Sequence, residues 1–203
     1  MQDFWFYMKL GLDHVLDLGA YDHILFLSAL AIPFTFKHWR KVLILATIFT
    51  IAHCLSLMLS VYEVVVMDVS LIEFLIPVTI FLTVIFNCIY VKTVQSHRTI
   101  SLHMVATTFF GLIHGFGFSN YFKMLISGEE EKFGPLLGFA TGIEISQVII
   151  VFLILVLAFI IQSVLKVKYQ LFVWVASGIV LLITLPLLYQ TFPFKGVLLK
   201  LSL

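Results

Sequence analysis

A few residues in this sequence could do chemistry where chemistry is expensive. Asp22, His23, His53, Glu73, His103, His114 and Glu144 fall inside or at the margins of long apolar stretches. An ionisable side chain at the centre of a membrane helix costs about 2.5–3.5 kcal/mol on insertion scales, so each needs a functional reason. Imidazole and carboxylate together are the ligand set of zinc, nickel, iron or copper. A divalent cation would offset the carboxylate charge, and each His would bind as neutral imidazole with its second nitrogen left for a supporting partner. The stretch FGLIHGFGF, Phe110 to Phe118, sets His114 among Gly111, Gly115 and Gly117. Small residues let helix backbones approach closely, so these glycines predict a neighbouring helix or an ion against the His114 backbone. ATGIE, Ala140 to Glu144, reads the same way for Glu144.

The elements that carry these residues follow from composition. Of 203 residues, 62% are hydrophobic and 11% charged, and the mean hydropathy is +1.13. A soluble domain has about 25% charged residues, so this is an integral membrane protein. The net charge of +1 says nothing about a nucleic-acid partner, but no basic patch with interleaved aromatics occurs, and none is expected. A span needs ~20 apolar residues, and six candidates occur at about 20–36, 41–61, 70–91, 101–122, 134–162 and 170–190. Short connections predict an all-α bundle of antiparallel neighbours, with 1–203 as a single membrane domain. Residues 1–19 lack the basic first region of a cleavable signal. Their Phe4, Trp5, Phe6 and Tyr7 suit a short amphipathic or re-entrant helix at the membrane interface. Cys54 and Cys88 read as small apolar residues.

Charge sets the expected topology. Lys37, Arg40, Lys41, Lys92, Arg98, Lys166 and Lys168 occupy the connections after the first, third and fifth spans, which hold no acid. Asp3, Asp13, Asp17, Glu63, Asp68 and Glu129–Glu131 lie on the other side. The positive-inside rule then puts both termini outside, in a bacterial inner membrane. At 1.5 Å per residue, His53 and His114 sit roughly 18–20 Å above the inner face and Glu144 roughly 15 Å below the outer end of its span. Asp22, His23, His53, His114 and Glu144 therefore reach overlapping depths in the outer half, and are the predicted metal ligands. His14 and Asp17 share a face of the N-terminal helix and could fold over the site as a lid. Ser56, Ser146 and Gln147 could support the ligands. Asn87, His103 and Thr107, with Thr83 and Thr108, read either as interhelical hydrogen-bonding groups or as an inner path. Glu73 begins the third span and reads equally as a headgroup residue.

Four segments taken together resemble the HupE/UreJ family, specifically its second branch. They are HVLDLGAYDHILFL (His14 to Leu27), FTIAHCLSL (Phe49 to Leu57), FGLIHGFGF (Phe110 to Phe118) and GIEISQ (Gly142 to Gln147). The family is named for accessory membrane proteins of nickel hydrogenase and urease clusters, and its better-known members are regarded as nickel permeases. The resemblance implies roles for His14, Asp22, His23, His114 and Glu144.

Three functions remain open on the sequence. The first is a transition-metal permease or metal-binding accessory protein of nickel or cobalt type. The alternative is an intramembrane zinc hydrolase, with Glu144 as general base, acting on a lipid or membrane-anchored peptide. The third is a structural subunit whose polar groups join helices, with other membrane proteins or a second copy of the chain as partner.

Overall fold

Leu-, Ile-, Val- and Phe-rich stretches with few helix breakers become long helices, because the membrane leaves no other way to satisfy the backbone. The computed structural model describes residues 2–92, 97–129 and 131–193; the side chains of Asp3, Arg98 and Glu130 lie outside the described set. Among the described residues all regular structure is helical. The helices are α1 (Gln2–Leu16), α2 (Asp22–Ala31), α3 (Trp39–Val61), α4 (Val69–Tyr90), α5 (His97–Leu125), α6 (Phe133–Phe159) and α7 (Tyr169–Gln190). The last five are long and apolar enough to cross a membrane. A 3-10 turn, Phe36–His38, precedes α3, and a π turn, Ile160–Val164, extends α6.

The expected first span, 20–36, is helical only over Asp22–Ala31 and stops just before Pro33, which has no N–H to continue the ladder. Asp17 Oδ1 accepts from the Gly19 N–H at 2.7 Å, and such a side-chain cap competes with helical hydrogen bonding. The chain therefore breaks over residues 17–21 and restarts as α2, whose ten residues reach only ~15 Å. Nor does α1 lie across the end of the bundle. It runs lengthwise along α6, with Gly138 against Phe4 and Met8 and Gly142 against Met8 and Leu12. The two helices advance together, so α1 and α6 are parallel. A Cβ at Gly142 would come within 2.0 Å of the Met8 carbonyl oxygen, so only glycine allows this approach.

α1 and α2 together traverse the bundle as one interrupted helix. At one end the Tyr7 hydroxyl reaches the Leu125 carbonyl (3.4 Å) and Glu129 (3.3 Å) beside the α5–α6 connection. At the other, the Tyr169 hydroxyl donates to the Pro33 carbonyl at 2.7 Å and Asn87 Nδ2 donates to the Ala29 carbonyl at 2.6 Å. The second close pair, α3 and α5, is also parallel. Gly111 faces Phe49 and Ala52, and Gly115 faces His53 and Ser56, where a Cβ would fall 2.1 Å from both the His53 carbonyl oxygen and Ser56 Oγ. The break in the first traverse and the Gly115 crossing meet in the bundle interior, where the candidate site lies.

Candidate metal centre

Four helices each contribute one imidazole to a single buried volume. His14 comes from the last turn of α1, His23 from the first turn of α2, His53 from α3 and His114 from α5. His14 and His23 ring centroids are 4.6 Å apart, His23 and His114 5.3 Å, His23 and His53 5.8 Å, and His14 and His53 6.0 Å. Each of His14, His23 and His53 offers a ligand atom, and these atoms lie within 4.8 Å of one another. Nitrogens bound to a tetrahedral zinc at 2.0–2.1 Å would be about 3.3 Å apart, so small rotations of the rings suffice to close on an ion.

The hydrogen bonds decide which nitrogens face inward. The carbonyl of Phe110 can only accept, so the 2.8 Å contact makes His114 Nδ1 the N–H and leaves Nε2 with its lone pair. Asp22 Oδ1 lies 3.2 Å from His23 Nδ1 and accepts from the His23 backbone N–H at 2.9 Å. This is the carboxylate–histidine arrangement that orients metal-binding imidazoles, and it places Asp22 behind His23. The Nε2 atoms of His14, His23 and His114 and both ring nitrogens of His53 are buried with no hydrogen-bond partner. Native interiors leave very few polar atoms in that state. A cation among them would satisfy several at once, so the residues present fit a bound metal.

Aromatic rings enclose the cluster. Phe118 lies 4.0 Å from His14, Phe49 5.2 Å from His114, and Phe26 5.5 Å from His114, measured between ring centroids. On one side a cleft of about 630 Å³ reaches His14 past Asp13, Asp17 and Tyr121. On the other side a cavity of about 290 Å³ is lined by Thr83, His103 and Thr107, with Phe26 and Phe110 in its wall. Phe26 and Phe110, 5.9 Å apart, thus stand between His114 and the second cavity.

The sequence profile described as HupE / UreJ protein matches residues 1–191. The chain belongs to the HupE/UreJ family. No curated protein and no solved structure matches it.

Other residues singled out in this HupE/UreJ protein lie at varied distances from the cluster. Glu144 is held apart, accepting from Thr47 (2.5 Å) and Thr50 (2.7 Å) across the α3–α6 contact. Ser56 donates to the His53 carbonyl at 2.9 Å. Ser146 donates to Gly142 and Leu12 carbonyls at 2.9 and 3.2 Å, tying α6 to α1. The Gln147 amide is fully buried with neither end partnered. Asp17 serves the turn after α1, Asn87 anchors α2, and Glu73 is exposed. Cys54 and Cys88 are free thiols. Thr47 and Thr50 carry the sequence signal for this tie: two hydroxyls three residues apart on α3, within reach of a carboxylate on α6.

Proposed function

We propose that the protein is a transition-metal permease of nickel or cobalt type, with the metal as cargo. His14, His23 and His53 would hold the ion, Asp22 would orient His23 and supply countercharge, and His114 would take the ion next. The single observation that carries this reading is the set of buried, unpartnered ring nitrogens on four clustered histidines between two cavities. The carboxylates of Asp13 and Asp17 would concentrate cations at the cleft. The C-terminal end of α1 carries the negative end of the helix dipole and favours a cation beside His14. Thr83, His103 and Thr107 would receive the ion once Phe26 and Phe110 part. In this reading the α1 N-terminus faces outside a bacterial inner membrane, as the loop charges favour.

The test is metal flux into vesicles reconstituted with the full chain. Thr107→Val should slow uptake while equilibrium metal binding stays close to wild type. Folded, metal-loaded protein with no flux above empty vesicles would sink the permease. An intramembrane zinc hydrolase draws on the same histidines, which could leave one metal position open. It needs Glu144 as base, whereas both Glu144 oxygens engage threonines, Thr50 one and Thr47 nearly two helical turns before His53.

A further inference from the structure

A second polar site lies at the end of the bundle where Tyr169 meets Pro33. There the 3-10 turn Phe36–His38 faces the π turn Ile160–Val164 across a cleft of about 730 Å³. Lys37, His38, Trp39, Gln162 and Ser163 line it, with Phe36 and Phe159 as apolar walls. Its charge is one-sided. Lys37, Arg40, Lys41, Lys166 and Lys168 cluster in the flanking segments, and among the described residues none forms an ion pair with a carboxylate. The Gln162 amide nitrogen is buried without a hydrogen-bond partner. π turns insert a residue and re-aim the side chains they carry, and they recur at functional sites. This one closes at Lys166 in the left-handed region, φ 55°, a conformation an L-residue adopts only at a cost. The donors gathered here, ammonium and amide N–H, call for a ligand that only accepts.

The walls narrow the ligand further. Phe36 stands 6.3 Å from both Phe152 and Phe159, and all three rings are exposed on the side of the bundle. Arg40 stacks on the exposed Trp39 ring at 5.3 Å, the kind of residue that collects at a membrane interface. We infer that this cleft binds the phosphate of an anionic phospholipid, with Lys37 and Gln162 donating to its oxygens and an acyl chain along Phe36, Phe152 and Phe159. Basic pockets between helices suit such headgroups. The lipid would brace the segment that joins α2 to α3, and so the far end of the interrupted helix. The inference stands independently of the metal site.

The test is native mass spectrometry of the full chain with added phosphatidylglycerol, phosphatidylcholine or inorganic phosphate. Phosphatidylglycerol should be retained and phosphatidylcholine not. Lys37→Gln and Gln162→Leu should each weaken retention by about five-fold, whereas Lys123→Gln, at the opposite end, should not. Lys37 is exposed, so its variant keeps the test valid if Gln162→Leu fails to fold. Equal retention of both lipids, or equal loss with Lys123→Gln, would overturn the site as diffuse attraction. Inorganic phosphate that binds without lipid and shows the same sensitivity to Lys37→Gln would replace the lipid with a soluble phosphate.

Discussion

Two polar islands interrupt the apolar interior one turn of α3 apart, and they are built on opposite terms. Around Thr50 the carboxylate of Glu144 receives a hydroxyl proton on each oxygen, so the fold itself satisfies the charge-bearing group. Around His53 the fold supplies the rings and leaves their inward nitrogens without partners. An unmet buried polar atom costs about 1–3 kcal/mol. Several of them gathered in one place set this island apart from the Glu144 tie. The satisfied island joins α3 to α6; the unsatisfied one is where the proposed metal would bind. The difference teaches that a polar group inside an apolar bundle does not by itself mark a site; whether the fold supplies its hydrogen-bond partners separates a tie from a site.

The largest effect should come from removing a ligand at the centre of the unsatisfied island. His53→Ala should weaken nickel or zinc binding by at least about 100-fold, beyond the loss expected from an outer-shell partner. Metal titration of purified protein reads this directly. Retention of wild-type affinity would show that the unpartnered nitrogens of His53 serve packing. Next is Asp22→Asn. It keeps a hydrogen-bond acceptor for His23 but removes the charge, and should weaken metal binding by roughly 10–100-fold while leaving the melting temperature close to wild type.

Much of this was legible in the sequence, and the unread part has physical causes. Helices α3 to α7 were readable because a run of ~20 apolar residues has only one stable form in lipid. Gly115 announced a close helix contact, and His53 lies across it. The interrupted traverse was not readable, because α1 and α2 owe their path to contacts with α6 and α4 far along the chain. The sequence therefore reads His14 as part of a lid, whereas its ring meets His23 and His53 directly. Depth counting speaks only of level along a span and says nothing of azimuth. On α6 Glu144 faces Thr47 and Thr50, and a 100° rotation per residue decides that.

Between the two islands in expected size is the crossing that positions both. Gly115→Ala places a Cβ 2.1 Å from the His53 carbonyl oxygen and Ser56 Oγ, which forces α3 and α5 apart. Overpacking of this kind costs about 1–3 kcal/mol. Thermal unfolding in detergent should shift down accordingly, and metal affinity should fall with it because His53 moves. A stability loss with metal affinity untouched would uncouple the crossing from the site.

The smallest effect on metal should come from Glu144→Gln, and it tests the comparison most sharply. The amide keeps an oxygen for one threonine hydroxyl, and Thr50 has a second acceptor in the Ala46 carbonyl at 3.3 Å. What is lost is the charge-assisted part of the tie, and hydrogen bonds to charged groups contribute about 1.5–3 kcal/mol. Stability should therefore fall by about 1 kcal/mol, read as a modest drop in melting temperature. Metal affinity should change by less than about threefold, since a purely electrostatic influence one helical turn away is well short of a lost ligand. Two results would break the comparison in different directions. A loss of metal as large as that of His53→Ala would mean that Glu144 leaves its threonines and joins the ion, making one island of the two. Intact metal binding together with abolished turnover of a membrane-anchored ester or peptide would assign Glu144 the work of a general base, and the hydrolase would replace the permease.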